Sequence, residues 1–371
     1  MKKKVLFLIH DLMGGGAEKV LVNLVNNMDK SKFDITVMSL FDVGVNKQYL
    51  SNQIRYQYCY KKLFRGNMHY MKLFSPEQLH RKYIKEEYDI EVAYLEGPCA
   101  RIISGCPNKR TKLVSWIHSK MDTQTKAALG FRNYQEAQKC YGRFDRIVAV
   151  SKWVRDFFSE ALQYKGTVEV LYNTIETEKI SRLADEPIDD VTFSKECINI
   201  CSTGKITANK AFDRIARIHK RLLDEGINNR VYIMGVGNEQ AKIEDYLHSY
   251  NLANSFFFLG FKDNPYKYVK QCDLYVCSSY SEGFSTAVTE ALIAGTPVVT
   301  TLCSGMTELL GENNEYGIIT ENDEDALYEG VKKMVLQSSV LSYYSKKSLE
   351  RGKNFSAKKT VTAVQKMLES L

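Results

Sequence analysis

Two glutamates, Glu282 and Glu290, are eight residues apart where the sequence changes from a strand pattern to a helix pattern. The apolar run Leu274–Ser278 predicts a buried strand, and the run ending at Gly295 predicts a helix. We therefore expect Glu282 in the connecting loop and Glu290 one to two turns into the helix, at about 3.6 residues per turn. The first free backbone N–H groups of this helix are expected from Phe284, Ser285 and Thr286. Such a helix end attracts phosphate, and two nearby carboxylates can bind sugar hydroxyls.

A pair of cations lies upstream, after the apolar run Ile198–Cys201. The loop that follows contains Gly204, Lys205 and Lys210. Two cations at this spacing can flank a pyrophosphate without a metal. Taken alone, the spacing is more typical of an ordinary basic loop, and only its combination with the glutamate pair favours a functional role.

The N-terminal half offers a glycine-rich loop and a histidine. Gly15 and Gly16 follow the apolar strand Val5–Ile9, where glycine lets the backbone approach a ligand closely at a helix start. A P-loop is excluded, because no Gly-Lys-Ser or Gly-Lys-Thr follows. His118 ends the strand-like run Lys112–Ile117, and a lone histidine there is more often a structural hydrogen-bonding group than a catalytic one.

The elements that must position these residues alternate between strand and helix along the whole chain, which predicts an α/β fold with parallel sheets. In the first half, the apolar residues Val20, Leu21, Leu24, Val25 and Met28 share one face of a predicted helix. In the second half, Arg230–Gly237 predicts a strand with a Gly-x-Gly turn, and Phe256–Phe261 predicts another strand with a turn. We expect Phe256, Phe257 and Phe258 to pack in the core. Ligands of open α/β sheets bind at the carboxyl edge, where all these loops fall.

Glu282, seven intervening residues, Glu290 and the following Ala-Gly-Thr-Pro-Val-Val closely resemble the signature of retaining nucleotide-sugar glycosyltransferases of family 4. The resemblance implies two doubly wound Rossmann-like domains facing across a cleft, the B-type fold. It implies that Glu282 meets the donor sugar and Glu290 binds the ribose. Lys210 matches the lysine of the family's diphosphate-binding loop, and Lys205 stands where the family usually has arginine, so the charge is kept and a bidentate fork is lost.

The same resemblance assigns further residues. Gly15, Gly16 and Glu18 resemble the family's Gly-Gly-x-Glu segment, which faces the donor phosphate and the acceptor; a flexible turn is the alternative. His118 occupies the place of a histidine that reaches the donor sugar. The loop that lies beside the base corresponds to Gly260, Phe261 and Lys262.

Domain boundaries follow from the same comparison. We predict an acceptor-binding domain over residues 1–173, a nucleotide-sugar-binding domain over 174–354, and a C-terminal helix over 355–371 that packs back on the first domain. At 371 residues and 44% hydrophobic content, the chain is long enough for two cores. The sequence has no run of about 18 apolar residues, so no membrane-spanning helix is predicted. The short apolar run after Lys2–Lys4 does not fit a signal peptide. Nine scattered cysteines without a Cys-x-x-Cys pair favour reduced thiols in the cytoplasm.

Charge is unevenly divided, with +11 over residues 1–173 and −4 over the rest. The stretch from Arg55 to Lys85 interleaves basic and aromatic residues. Such a surface suits anionic lipid headgroups and could also suit nucleic acid; we favour the inner face of a membrane. A solvated face whose aromatic rings pack inward remains the alternative.

No metal or cofactor is expected. Asp323-Glu324-Asp325 has the Asp-x-Asp form of a metal-bound diphosphate site. Its place between a strand and a helix instead predicts helix N-capping with first-turn acids.

The sequence therefore predicts transfer of a hexosyl unit from a nucleotide diphosphate sugar, with UDP favoured, to a hydroxyl of a glycan acceptor, a lipid-linked one being favoured, in bacterial cell-surface polysaccharide synthesis. His118, Glu282, Lys205 and Lys210 are the predicted catalytic residues. Retention of anomeric configuration is implied by the resemblance only. The alternatives are a B-fold sugar-nucleotide epimerase or a non-catalytic partner subunit with the same fold.

Overall fold

The computed structural model describes residues 2–371, which divide into two compact α/β units. The first contains the chain up to Ile175 together with Ala357–Leu371, and the second is Glu176–Ser356. The change of unit at Ile175 lies close to the boundary drawn from the sequence.

The first unit is built on a seven-stranded parallel sheet with the order β3-β2-β1-β4-β5-β6-β7. Its strands are β1 (Lys3–Ile9), β2 (Phe33–Phe41), β3 (Arg55–Tyr60), β4 (Ile90–Ala93), β5 (Lys112–Ile117), β6 (Arg146–Ala149) and β7 (Val168–Val170). The β1 strand is apolar from Val5 to Ile9 because a parallel sheet is covered on both faces, and these five residues are all fully buried.

Short helices connect these strands: α1 (Gly16–Asn27), a 3-10 helix (Val45–Tyr49), α2 (Asn67–Lys72), α3 (Pro76–Tyr83), α4 (Pro98–Ile103), α5 (Gln124–Ala127), α6 (Tyr134–Tyr141) and α7 (Lys152–Leu162). The predicted apolar face of α1 is confirmed, since Val20, Leu21, Leu24, Val25 and the adjoining Met28 are all buried.

The second unit contains a six-stranded parallel sheet with the order β10-β9-β8-β11-β12-β13. Its strands are β8 (Ile198–Thr203), β9 (Asn229–Met234), β10 (Phe256–Gly260), β11 (Leu274–Cys277), β12 (Val298–Thr301) and β13 (Ile318–Thr320). Its helices are α8 (Thr177–Ala184), α9 (Phe212–Asp224), α10 (Gln240–Ser249), α11 (Tyr266–Gln271), α12 (Thr286–Ala294), α13 (Met306–Leu310), α14 (Glu324–Val335) and α15 (Ser338–Gly352). Phe256 is buried in the core, as predicted, and Phe258 packs against that core.

The last helix, α16 (Ala357–Glu369), belongs to the first unit. Lys3 Nζ donates to the carbonyls of Leu368 and Glu369 at 3.0 Å each, and Gln365 Oε1 accepts from the Asp29 amide at 2.6 Å. Buried Val361, Val364 and Leu368 supply its apolar face. Across residues 2–371 no helix is both long and apolar enough to span a bilayer.

In each sheet, the direction in which the chain adds successive strands reverses at one point. In the second unit the chain builds outward from β8 through β9 to β10, then returns to place β11 on the other side of β8. The loops after β8 and β11 therefore meet at the carboxyl edge, the position where open α/β sheets bind ligands. The first unit repeats the pattern with β1 and β4.

Candidate functional site

The reversal point of the second unit brings Lys210 and Glu282 together. Lys210 ends the loop after β8, Glu282 lies in the loop after β11, and Lys210 Nζ is 2.6 Å from Glu282 Oε1. The same carboxylate oxygen accepts from the Ser279 hydroxyl at 2.6 Å. Both charged side chains are largely covered, with 24% of Lys210 and 12% of Glu282 exposed. Two residues selected from the sequence as separate candidates thus form one ion pair.

Burial alone would lower the pKa of Lys210 by disfavouring its charge, but the attraction of Glu282 outweighs this and raises the pKa above the ordinary lysine value. Lys210 is therefore a cation throughout the physiological pH range. Lys205, the other predicted cation, lies exposed on the same loop.

The loop after β11 leads into α12, whose start lies later than the sequence indicated. Ser285 is the N-cap, because its hydroxyl accepts the Val288 amide at 3.3 Å, so the first helical residue is Thr286. No intrahelical backbone acceptor is available to the amides of Ser285, Thr286 and Ala287, whereas the Val288 amide is capped by the Ser285 hydroxyl. The prediction that Phe284 begins this set is corrected: Phe284 precedes the cap, and its ring is buried.

Glu290 lies one turn into α12 and is 8% exposed. A glutamate in such a buried place on the helix is not an ordinary solvated surface residue. The Glu290 side chain is therefore largely shielded from solvent within α12.

Three glycines line the edge beside Lys210. Gly204 lies next to the Lys210 side chain, Gly235 adopts a φ of +148°, and the Gly235 amide donates to the Gly260 carbonyl at 2.8 Å. A Cβ on Gly235 would lie only 1.9 Å from the Gly204 oxygen, so the loops after β8 and β9 can approach this closely only with glycine there. Beyond Gly260, the Phe261 ring is 53% exposed, whereas Lys262 is engaged with Asp190 at 2.5 Å.

In the first unit, the loop after β1 places Gly15 at the N-cap of α1 with an extended backbone. The Glu18 carboxylate lies directly over Gly15, since a Cβ there would be 2.1 Å from Glu18 Oε2. Gly16 is exposed at the first helical position. In the structure the group that approaches the Gly15 backbone closely is the Glu18 side chain, and the approach of a ligand at this helix start stays a prediction.

His118 follows β5, and its ring packs 4.8 Å from that of Tyr94. Its Nε2 is shielded from solvent without a hydrogen-bond partner. Burial lowers the pKa of His118 to about 3, so the imidazole is neutral. A neutral ring with one unpaired, shielded nitrogen can still take a hydrogen bond from a ligand.

Glu96, in the loop after β4, was missed by the sequence reasoning. Its Oε2 accepts from the His118 amide at 3.0 Å, and its Oε1 accepts from the Ser119 hydroxyl. Because β4 pairs with both β1 and β5, Glu96 lies between the glycine loop and the histidine loop. The only signal in the sequence was a charged residue just after a short apolar run, which is common in any protein.

The acidic Asp323–Asp325 stretch caps a helix, as predicted. Asp323 Oδ1 accepts from the Ala326 amide at 2.9 Å, and Asp325 pairs with Arg221 at 2.7 Å. Elsewhere, the buried side chains of His80, Glu91 and Cys106 bring three potential ligand atoms within 4.8 Å of one another. His80 Nε2 lies 2.8 Å from Glu91 Oε2. Burial opposes a charge on this ring, but its contacts with Cys106 and Glu91 prevail and raise the pKa of His80 to about 9. The buried His80 ring is therefore protonated at neutral pH.

The basic and aromatic stretch separates into two parts. Most of its aromatic rings pack on one another: Tyr60 lies 5.3 Å from Phe64 and 5.7 Å from Tyr83 between ring centroids, and Tyr70 lies 5.3 Å from Phe74. Lys61, Lys62 and Arg65 are exposed, and Leu63 between them is 48% exposed. The inward-packing alternative thus holds for these rings, and the three cations form a smaller basic patch.

Two parallel α/β units, each with a reversal point in its strand order, define a two-domain Rossmann-like protein. Two family models match it: Glycosyltransferase Family 4 over residues 14–179 and Glycosyl transferases group 1 over residues 186–351. Together they account for most of both units. The chain belongs to the glycosyltransferases of the B-type fold.

Individual relatives agree. A Campylobacter jejuni protein, N-acetylgalactosamine-N,N'-diacetylbacillosaminyl-diphospho-undecaprenol 4-alpha-N-acetylgalactosaminyltransferase, is 26% identical over 96% of each chain. The putative colanic acid biosynthesis glycosyltransferase WcaL of Escherichia coli is 29% identical over 52% of this chain and 48% of its own. Among solved structures, Anabaena Alr3699/HepE in complex with UDP-glucose superposes with a TM-score of 0.75 at 18% identity, with both chains fully covered.

Proposed function

We propose that the protein transfers a hexosyl unit from a UDP-sugar to a hydroxyl of a lipid-linked glycan, with retention of anomeric configuration. The observation that carries the proposal is the Lys210–Glu282 pair at the reversal point of the second sheet, next to the start of α12. A cation, a carboxylate and free helix amides are the groups that a nucleotide diphosphate sugar requires.

Charge development explains the role of each group. Breaking the bond between the sugar and the diphosphate leaves negative charge on the departing diphosphate, which fixed cations and amide dipoles stabilise. In this proposal Lys210, Lys205 and the amides of Thr286 and Ala287 supply that stabilisation. Glu282 accepts hydrogen bonds from donor sugar hydroxyls, and Glu290 from the ribose.

The ion pair between Lys210 and Glu282 affects how the donor can bind. In the free protein Glu282 neutralises Lys210, so a bound diphosphate competes with Glu282 for the ammonium. Glu282 is then available to sugar hydroxyls. Donor binding in this proposal therefore exchanges an internal ion pair for one ion pair and several hydrogen bonds to the ligand.

The donor and acceptor classes come from relatives. The Anabaena protein was solved with UDP and with UDP-glucose, which favours uridine here. The name of the Campylobacter relative specifies a diphospho-undecaprenol acceptor, which favours a lipid-linked one, and the name of the Escherichia coli relative specifies colanic acid biosynthesis, which favours a role in polysaccharide synthesis. The exposed cations Lys61, Lys62 and Arg65 suit an anionic membrane surface, where each basic residue contributes about 1 kcal/mol.

One experiment tests the transfer reaction itself. The protein is incubated with UDP-, GDP- and ADP-sugars and short polyprenyl diphosphate oligosaccharides, and nucleoside diphosphate release and product linkage are measured. We expect release with a UDP-sugar and an α-linked product from an α-linked donor. An inverted product would exclude retention, and no release from any donor would exclude the transferase proposal.

A further inference from the structure

Arg214 is a buried arginine directly beneath the loop that carries Glu282. It lies in the first turn of α9, and only 6% of it is exposed. Its Nη1 donates to Asn322 Oδ1 at 2.8 Å and to the Ser278 carbonyl at 3.4 Å, and its Nη2 donates to the Asn322 carbonyl at 3.4 Å. The guanidinium also stacks 4.0 Å from the centroid of the Tyr280 ring. Each of these partners is neutral, so the interactions of this buried charge fix backbone and ring positions.

Asn322 extends the same contact. It follows β13, and its Nδ2 lies within hydrogen-bonding distance of the carbonyls of Tyr280 at 3.0 Å, Ser279 at 3.3 Å and Leu302 at 3.3 Å. The loop after β11 is therefore held from beneath by two side chains that come from α9 and from the end of β13. Neither region was selected from the sequence.

The loop transmits this restraint to the carboxylate. Ser279 donates its hydroxyl to Glu282 Oε1, so fixing the Ser279 carbonyl fixes the group that orients Glu282. On the opposite side, the Asn209 carbonyl accepts from the Tyr280 amide at 2.8 Å, and Asn209 Nδ2 donates to the Ser281 carbonyl at 2.9 Å. The Ser278–Glu282 loop is thus bound on two sides.

We propose that Arg214 and Asn322 are positioning residues for the transfer reaction, which hold the Ser278–Glu282 loop so that the Glu282 carboxylate meets the donor sugar in one orientation. The inference rests on the proposed function, because it gives Glu282 a role in transfer. Neither residue touches the diphosphate in this account. The planar guanidinium is required, since an ammonium cannot form the fork to Asn322 and stack on Tyr280 at the same time.

The first test compares Arg214→Lys and Asn322→Ala with the parent. Because a displacement of about 1 Å at a reacting group can cost about 100-fold, we expect kcat to fall roughly 10- to 100-fold in both variants. The Kd of the nucleoside diphosphate should stay within about twofold, since the interactions lost concern the sugar. If Arg214→Lys fails to fold, Asn322→Ala, which keeps the guanidinium, carries the test.

Arg217→Lys is the matched control. Arg217 lies one turn further along α9 and also bridges to the region of α14, through Glu324 at 2.6 Å, but no contact joins it to the Glu282 loop. We expect this variant to turn over like the parent. A kcat for Arg214→Lys and Asn322→Ala as close to the parent as that of Arg217→Lys would overturn the proposal.

A double-mutant cycle separates positioning from a general structural effect. If Asn322 acts through Glu282, Asn322→Ala should lower kcat by less than about twofold in a Glu282→Gln background, where the oriented charge is already lost. If the losses of kcat from Asn322→Ala and from Glu282→Gln multiply in full in the double variant, the inference is overturned and the transferase proposal stays intact. A normal kcat for Glu282→Gln itself would instead overturn the role of Glu282 on which the inference rests.

Discussion

Replacing Glu282 by glutamine should tighten the binding of UDP while it abolishes most transfer. In the free protein, Glu282 Oε1 lies 2.6 Å from Lys210 Nζ, and both side chains are largely covered. A diphosphate must approach the same ammonium against the charge of Glu282. Glutamine keeps the size and the hydrogen-bonding oxygen of the side chain but removes that charge, so Lys210 becomes fully available to phosphate.

The magnitude follows from the geometry. A hydrogen bond to a charged group contributes about 1.5–3 kcal/mol net. If about half of this is transferred to the diphosphate, the gain is about 0.8–1.5 kcal/mol, which tightens the Kd of UDP about 4- to 13-fold. Transfer should nevertheless fall about 100-fold or more, because the donor sugar loses its charged hydrogen-bond acceptor.

Lys210→Met should shift UDP binding in the opposite direction. It removes the cation and leaves the largely covered Glu282 carboxylate facing the diphosphate, which costs about 2–5 kcal/mol or about 30-fold and more in Kd. Isothermal titration calorimetry with UDP measures both variants. Glu324→Gln is the control, since it breaks a 2.6 Å ion pair with Arg217 in the same unit but outside the site.

A loss of UDP affinity in Glu282→Gln as large as that in Lys210→Met would contradict competition between Glu282 and the diphosphate. That result would mean that Glu282 contributes to the diphosphate site and does not compete with it. Equal UDP binding in the parent and in both variants would remove the pair from the site altogether.

Four further expectations follow from the described contacts. Glu290→Gln should weaken UDP about 10-fold, measured by calorimetry, but leave binding of inorganic pyrophosphate unchanged, since only the ribose contact is lost. Transfer should survive excess EDTA; loss of activity that magnesium or manganese restores would contradict a lysine-based site and return attention to Asp323 and Asp325. Burial lowers the pKa of His118 to about 3 from an ordinary 6.5, so the unfolded chain binds the extra proton and stability falls as pH drops from about 6.5 toward 3. Between pH 7 and pH 5, the free energy of unfolding of His118→Phe, measured in urea, should therefore fall by about 2 kcal/mol less than that of the parent. Equal losses in the two proteins would contradict this. Binding to anionic vesicles, measured by co-sedimentation, should weaken as salt rises and when the charges of Lys61, Lys62 and Arg65 are reversed. Equal binding to neutral vesicles would contradict the membrane proposal.

Most of the fold could be predicted because its signals are local. The long apolar runs that became β1, β5 and β8 are recognisable without their neighbours, and Gly295 marks the end of α12 by adopting a φ of +82°. The short strand β4 gave a weaker signal, because Glu91 interrupts its apolar run. Its charge is balanced by His80 from α3, a contact that no local pattern reveals.

The candidate site was predicted residue by residue but not as an arrangement. Lys210 and Glu282 were both selected, but their ion pair depends on β11 lying beside β8, which only the completed sheet decides. The start of α12 was placed early because Phe284 and Ser285 both fit the loop, and the hydroxyl that accepts the Val288 amide decided between them. Arg214, Asn322 and Glu96 had no distinguishing signal, since each contacts residues that are distant in the sequence.

The contacts around Glu282 extend well beyond the two-glutamate segment of the sequence. The two-glutamate segment supplies the carboxylates, but contacts from outside that segment hold the loop between β11 and α12. Its carbonyls are instead fixed by Asn322 after β13 and by Thr301 of β12, which donates to the Ser279 carbonyl at 2.6 Å. The orientation of one carboxylate therefore depends on the order of four parallel strands, β8, β11, β12 and β13. Substitutions at these supporting positions should therefore alter transfer through the loop that carries Glu282.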